Sequence, residues 1–289
     1  MSRLLEHILA GLSSGATYGL LALGLVLIYR VCSVMSFAHG TAAALSAYIA
    51  YALQPLGYII AFAGGLAAAF IFGLLTEQLL HRVRRGGHNA ELLTTIALFM
   101  MGDGLLASIF GADTRAFAHV FEDLQTQRWV PGLALTAHDG LVLIVALACA
   151  LLLAAFLAKT RLGLGIRALG DNAQAALLLG LPARRIRAVT WGLASALGGV
   201  AGLLLVPRLF LDPGMMFAPL LKAFAAAVLG GLSSMLGVAA AAALLGVSEV
   251  LLGAYVSTNL QSSLAFIIII VVLSLRPEGI FVARRRRRL

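Results

Sequence analysis

Nine long apolar runs, separated by short polar segments, limit the folds open to this 289-residue chain. They lie near residues 5–29, 34–53, 57–80, 91–111, 140–158, 188–207, 221–233, 236–254 and 260–275. About 20 apolar residues cross a bilayer as a helix, so these runs predict membrane spans. The seventh run is short and predicts a tilted or re-entrant segment. The expected number of spans is therefore eight or nine.

Composition excludes the other architectures. The chain is 61% hydrophobic and only 11% charged, whereas a soluble domain carries roughly 25% charged residues. A transmembrane barrel would need short strands of alternating hydrophobicity, but the runs here are long, unbroken and rich in Leu and Ala. The expected fold is an all-α polytopic membrane bundle that forms a single transmembrane domain over residues 1–289.

Basic residues predict the orientation in the membrane. If all nine runs cross, most of the 21 Lys and Arg residues fall on one side, in the segments that contain Arg30, Arg82–Arg85, Lys159–Arg187, and Arg276 with Arg284–Arg288. The side rich in Lys and Arg is the cytoplasmic one, which places the N-terminus outside and the C-terminus inside. The net charge of +9 is thereby explained by cytoplasmic loops, and no nucleic-acid partner is expected.

The polar break over residues 159–187 contains a short apolar segment. Asp171 or Asn172 can cap a helix start, Gly180 suits the left-handed position just past a helix end, and Pro182 prevents continuation. Between these signals the residues are almost all Ala and Leu. The pattern predicts a two-turn helix in a polar, basic cytoplasmic loop. An apolar helix exposed to water needs a partner surface, so we expect it to dock onto another protein.

The same segment, Gln174-Ala175-Ala176-x-x-x-Gly180, resembles the Glu-Ala-Ala-x-x-x-Gly signature of the coupling loop in ABC importer permeases, with Gln174 replacing the usual Glu. Other motifs are similar to branched-chain amino-acid permeases and occur in the family's order. They are Gly15 to Arg30, Ser36-Phe37-Ala38-His39-Gly40 (where the family more often has Asn first), Lys222-Ala223-Phe224, Val228 to Leu232, and Arg276-Pro277-x-Gly279-Ile280-Phe281. Together they cover about residues 5 to 281 and resemble an H-type permease subunit of a branched-chain amino-acid ABC importer.

This resemblance implies a multi-subunit machine in a bacterial cytoplasmic (inner) membrane. Its permease subunits pair, as a homodimer or with a paralogue, two cytoplasmic ATPase subunits bind ATP, and an extracytoplasmic solute-binding protein delivers the amino acid. The family's ATPase-coupling role falls on Gln174, Ala175, Ala176 and Gly180. The sequence has no Gly-x-x-x-x-Gly-Lys-Ser/Thr loop, the phosphate-binding motif of many ATPases, so no cofactor is expected in this chain itself.

Four residues are candidates for the translocation path or for contact with the substrate. Ser36, His39 and Gly40 open the second run, where a helix break could expose backbone groups to a substrate; the alternative is a Gly-packed helix start with His39 snorkelling to the interface. Asp103 lies in the middle of the fourth run between two glycines. An ionised carboxylate there costs at least ~2.5 kcal/mol, so it either lines a path or is protonated and bonded to a neighbouring helix.

Two other functions remain as alternatives, and a third is rejected. A permease of the same type could carry urea or short amides, and an ion-coupled secondary transporter could use Asp103 and Glu249 as ion ligands. An ion-driven carrier, however, has no use for an exposed apolar helix in a loop. An intramembrane enzyme is rejected, because the six His residues are scattered and form no His-Glu-x-x-His metal site, and no nucleophile–base pair is visible.

Overall fold

The computed structural model describes residues 2–84, 87–117 and 136–275, and its regular elements within these ranges are all helices. We number the α-helices in chain order: α1 Ser2–Cys32, α2 Ala38–Leu53, α3 Tyr58–Val83, α4 His88–Phe110, α5 Ala137–Lys159, α6 Arg161–Asp171, α7 Ala173–Leu178, α8 Ala183–Leu209, α9 Phe217–Gly230, α10 Met235–Tyr255 and α11 Thr258–Leu275. A 3-10 turn, Gln54–Leu56, joins α2 to α3. The all-α prediction is confirmed.

Six of these helices, α1, α3, α4, α5, α8 and α10, are long and apolar enough to cross a membrane in the part of the chain that is described. The chain is therefore a multi-pass membrane protein. Helix α9, which covers most of the short seventh run, has only 14 residues, or about 21 Å of helix, against a hydrocarbon core of about 30 Å. The described residues do not include Arg85, Glu122, Asp123 or the arginines after residue 275.

Helix α2 lies at the centre of the bundle, where α1, α3, α4 and α8 pack around it. Helix α1 packs most extensively against α10, and the glycines four residues apart make this possible. A β-carbon added at Gly11 would lie 2.5 Å from Cα of Val247, and one at Gly15 would lie 2.6 Å from the carbonyl oxygen of Ala242. These glycines therefore let α1 and α10 approach closely.

The two ends of the bundle differ in their polar contacts. At one end, which we call the basic end, Gly170 of α6 packs against the backbone of Arg30, and Arg84 bonds Glu77 (3.4 Å) and Glu91 (2.5 Å). At the opposite end, Arg208 forms an ion pair with Asp139. The same guanidinium donates hydrogen bonds to the hydroxyls of Ser13 and Ser14 at 3.1 and 3.2 Å, which ties α8 to α5 and α1.

Two segments differ from the sequence prediction. The second run was expected to be helical from residue 34, but α2 begins at Ala38 because residues 33–36 are non-helical and Ser33 has a φ of +57°. The segment before the docking helix was expected to be a loop, but residues Arg161–Asp171 form α6. Thr160 starts it: its hydroxyl accepts a hydrogen bond from the N–H of Gly163 at 2.9 Å, as an N-cap residue does.

Candidate coupling surface and translocation site

Helix α7 has the boundaries that its local sequence specifies. Of the two candidate caps, Asn172 is the one used: its Oδ1 accepts a hydrogen bond from the N–H of Ala175 at 3.0 Å. At the other end, the N–H of Gly180 bonds the carbonyl of Leu177 at 3.0 Å, and the N–H of Leu181 bonds that of Ala176 at 3.1 Å. Gly180 has a φ of +76°, the left-handed geometry that closes many helices.

The leucine side chains at the C-terminal end of α7 are exposed, as predicted for an apolar helix that awaits a partner surface. Leu178 is 89% exposed and Leu179 is 82% exposed, and Leu177 is also exposed. Ala176 is buried and anchors the helix on the bundle, whereas Gln174, Ala175 and Gly180 are exposed. Three leucines that face solvent beyond the membrane spans form an apolar patch of the kind that marks a protein–protein contact. Nothing in the described part of the chain covers it.

The break before α2 is held by α4. The Thr95 hydroxyl lies 3.4 Å from the backbone N of Phe37 and 3.5 Å from the carbonyl oxygen of Met35, in addition to its 2.9 Å bond to Leu92 of its own helix. The Phe37 ring packs on Phe224 of α9 at a centroid distance of 4.9 Å. Thr95 therefore bonds both its own helix and the broken segment, and the sequence did not indicate the second contact.

The predicted residues Ser36, His39 and Gly40 all lie at this break and are buried. The Ser36 hydroxyl has no hydrogen-bond partner in the described part of the chain. A β-carbon on Gly40 would lie 2.9 Å from the Phe99 ring and 3.0 Å from Leu220, so α4 and α9 close on this glycine. The break is therefore a buried junction of α2, α4 and α9.

His39 is enclosed between two other helices. A β-carbon on Gly24 of α1 would lie 2.5 Å from Cε1 of the ring, and one on Gly198 of α8 would lie 2.9 Å from the same atom. The side chain is 1% exposed. The alternative in which His39 snorkels to the interface is wrong, because the two glycines form a slot that holds the ring inside the bundle.

Asp103 lies on α4 one turn beyond Phe99, which packs at the break. Its side chain is partly exposed, and it makes no side-chain hydrogen bond or ion pair within the described residues. A β-carbon added at the neighbouring Gly104 would have no other atom within 4 Å. On its other side, a β-carbon added at Gly102 would lie 2.2 Å from Cγ2 of Thr41. Asp103 thus lies at the edge between the open and the packed side of α4 and is not part of the buried junction that contains Ser36, His39 and Gly40.

A second buried polar cluster was missed by the sequence reasoning. Lys222 of α9 bonds Glu249 of α10 at 2.5 Å and the Tyr18 hydroxyl of α1 at 3.2 Å, and Gln261 of α11 lies 3.4 Å from Glu249. The side chains of Lys222 and Glu249 are only 17% and 7% exposed. The signal was present, since opposite charges within two apolar runs are expected to pair inside a membrane bundle.

The fold and the exposed helix define a class of protein. A multi-pass helical bundle that presents an uncovered apolar helix beyond its spans is the membrane component of a larger assembly. Within the described residues there is no group of three or more His, Cys, Asp or Glu that could hold a metal.

The comparisons with known proteins give the family. Residues 7–273 match the branched-chain amino acid transport system permease component family, and the chain belongs to it. It is 29% identical to the high-affinity branched-chain amino acid transport system permease protein LivH of Escherichia coli, over 96% of this chain and 94% of that protein. It is 28% identical to BraD of Pseudomonas aeruginosa, a protein of the same description, over 96% of this chain and 95% of the relative.

A third relative matches slightly less of the chain. The probable branched-chain amino acid transport permease protein LivH of Methanocaldococcus jannaschii is 28% identical over 90% of this chain and 87% of its own length. No solved structure matches the chain. The family is a transporter component and not an enzyme, which confirms the rejection of an enzyme and the resemblance found in the sequence.

Proposed function

We propose that this chain is the transmembrane permease subunit of an ATP-driven ABC importer that moves branched-chain or related hydrophobic amino acids into the cytoplasm. The observation that carries the proposal is α7, an apolar helix that is capped, exposed and uncovered at the basic end of the bundle. The sequence contains no phosphate-binding loop, so energy from ATP has to arrive through a docked partner. The substrate class is that of the permease relatives.

The assembly that follows has a pair of permease subunits, two cytoplasmic ATPases and an extracytoplasmic solute-binding protein, in the inner membrane of a bacterium. The loop over residues 159–187 is its cytoplasmic coupling segment, and ATP is bound by the partner ATPases. Gln174, Ala175 and Gly180 present the docking surface, and buried Ala176 transmits a push on this surface to the bundle. The exposure pattern of α7 supports these roles.

The proposed topology has nine spans with the N-terminus outside and the C-terminus inside, because eight spans would put both termini on the same side of the membrane. Arg30, Arg84 and the coupling segment share one end of the bundle, and the positive-inside rule assigns that end to the cytoplasm. Residues Asp139 and Arg208 then face the outer side. Short α9 does not cross the hydrocarbon core by itself, which makes it the segment that separates eight spans from nine.

The proposed translocation path runs along the break of α2 and the open face of α4. Broken helices line substrate sites in many transporters because their free backbone groups can bind polar parts of a solute. Ser36 and Gly40 lie at the break, His39 anchors it between α1 and α8, and Asp103 lies on the α4 face one turn away. A charged side chain is not stable against lipid, so that face of α4 is directed at the path and the second permease subunit.

The Asp103→Asn variant distinguishes this path from an ion-coupled one. We expect it to keep most ATP-dependent uptake, because Asp103 has no ion partner in the described structure and an amide keeps its size and polarity. The measurement is solute uptake into vesicles at matched membrane levels of the variant. Complete loss of uptake at normal levels would instead support a transporter in which the carboxylate binds the driving ion.

The proposed function is tested by affinity purification of the chain from its native membranes in mild detergent, followed by mass spectrometry and by uptake assays in vesicles. We expect ATPase subunits to copurify, and uptake of leucine, isoleucine or valine to require ATP. Urea and acetamide are tested in parallel, because preferential uptake of either would assign the chain to the amide-carrying type of permease. A chain that purifies alone and transports without ATP would overturn the proposal.

A further inference from the structure

Two adjoining cavities open at the basic end of the bundle, between the C-terminal end of α3 and the N-terminal end of α8. Their volumes are about 460 and 490 Å³, and His81 lines both. We call them the basic groove, after the basic residues of their lining: His81, Arg82, Arg84, Arg184, Arg185 and Arg187.

The charge of the basic groove is only partly balanced. Glu77 also lines it, and Arg84 is occupied by its ion pairs with Glu77 and Glu91. Arg82, Arg184 and Arg185 are exposed and form no ion pair among the described residues. The cations therefore outnumber the two carboxylates, and the groove attracts an anion.

Two further features of α8 add to the positive electrostatic potential of the basic groove. Its N-cap residue is Pro182, which supplies no side-chain acceptor to the first turn, so the positive end of the helix dipole remains available to an anion. The Nε atom of Arg187 is buried without a hydrogen-bond partner in the described structure. A hydrogen-bond acceptor that enters the groove would bind these donors, which have no partner among the described residues.

An apolar cavity of about 410 Å³ lies along the same two helices, further towards the membrane interior. Leu66 of α3 and Leu193, Ala196 and Val200 of α8 line it, and α5 closes it with Leu152 and Phe156. Helix α5 packs mainly against α1, which leaves a gap between α5 and the α3–α8 pair. The cavity has the lining that a hydrocarbon chain requires.

We propose that the seam between α3 and α8 is a binding site for an anionic phospholipid of the cytoplasmic leaflet. Its phosphate and headgroup occupy the basic groove, and one acyl chain occupies the apolar cavity above it. Basic pockets between membrane helices on the cytoplasmic side are typical binding sites for anionic headgroups. The apolar cavity selects a lipid over a free phosphate ion, because the ion would leave that cavity unfilled.

The site has a consequence for coupling. Pro182 lines the groove and lies two residues after Gly180, which closes the docking helix α7. A lipid held there fixes the N-terminal end of α8, to which the docking helix is attached. The lipid site itself depends on the membrane position of this seam and not on the identity of the docked partner, so it can be tested apart from the proposed function.

The test measures lipid retention by the full-length chain in detergent, using native mass spectrometry with dioleoyl phosphatidylglycerol and dioleoyl phosphatidylcholine. We expect wild type to retain phosphatidylglycerol preferentially. The Arg184→Gln/Arg185→Gln variant should reduce that retention by about tenfold or more, since each arginine near an anionic lipid contributes on the order of a fivefold change in affinity. The Ala196→Trp variant, which fills the apolar cavity, should also reduce it while leaving every charge in place.

Each variant has a matched control. Arg161→Gln/Arg167→Gln removes two exposed arginines of α6 outside the groove, and Ala148→Trp adds the same bulk to an exposed position of α5 outside the cavity. Both controls should retain phosphatidylglycerol as wild type does. Equal loss in the two arginine variants, equal retention of the two lipids by wild type, or normal binding by Ala196→Trp would overturn the proposal. Displacement of phosphatidylglycerol by inorganic phosphate alone would also overturn it, in favour of a small-anion site.

Discussion

The Gly180→Trp variant is expected to reduce ATP-dependent uptake to background while the chain still inserts and folds. Gly180 is exposed, and a β-carbon there would meet no atom within 4 Å, so the substitution does not disturb the core. It acts in two ways. An L side chain at the observed φ of +76° costs about 1–2 kcal/mol, which loosens the end of a two-turn helix. The indole also projects from the proposed docking surface. Uptake into vesicles and copurification of ATPase subunits measure the effect.

Gly57→Trp is the control for backbone strain. Gly57 also has a positive φ, +107°, and open space around its β-position, but it precedes α3 at the end of the bundle opposite Arg84. We expect near-normal uptake from this variant. If the amount of protein in the membrane falls to the same extent for both variants, backbone strain explains the loss of uptake and docking does not. Normal transport by Gly180→Trp would remove the argument from α7.

The Lys222→Met variant is expected to lower the stability of the bundle by about 3–5 kcal/mol, because it leaves Glu249 as a buried and uncompensated charge. Lys222 and Glu249 are 2.5 Å apart, and their side chains are 17% and 7% exposed. The pair joins α9 to α10 and, through Tyr18, to α1. The measurement is the melting temperature of the purified chain in detergent, followed by the fluorescence of buried Trp191.

The double variant Lys222→Met/Glu249→Gln separates the cost of an unpaired charge from the loss of the pair itself. Replacing both partners of a buried ion pair by groups of similar shape is often nearly neutral, so we expect the double variant to recover more than half of the lost melting temperature. Lys159→Met makes the same substitution at an exposed residue with no ion pair in the described structure and should have little effect. The structural role of the pair would be contradicted if Lys222→Met melted no lower than Lys159→Met. It would also be contradicted if the double variant melted lower than Lys222→Met.

The docking helix illustrates what local sequence signals can specify. Asn172, Gly180 and Pro182 lie within eleven residues of one another, and the helix between them begins and ends where they indicate. Capping and left-handed closure depend on bonds between residues a few positions apart, so no knowledge of the tertiary structure is needed. The helical class follows from composition for the same reason, because each apolar run satisfies its own backbone groups.

The polar contacts between helices required the tertiary structure. The sequence contained Lys222 and Glu249 but did not specify that they meet, since 27 residues separate them. It also gave no sign that His39 fits between Gly24 and Gly198. Such contacts depend on which faces of distant helices are opposed, and hydropathy does not encode this.

The sequence by itself thus determined a multi-pass helical membrane protein with a short capped helix between Asn172 and Gly180, and the ordered motifs pointed to its family. Only the tertiary structure decided that α2 is central, that α2 is broken before Ala38, and that α3 and α8 form the basic groove. The physical reason is that lipid tails are as apolar as a leucine side chain. A run of apolar residues is equally stable against lipid or against another helix, so its pattern shows that it lies in the membrane but not what lies beside it.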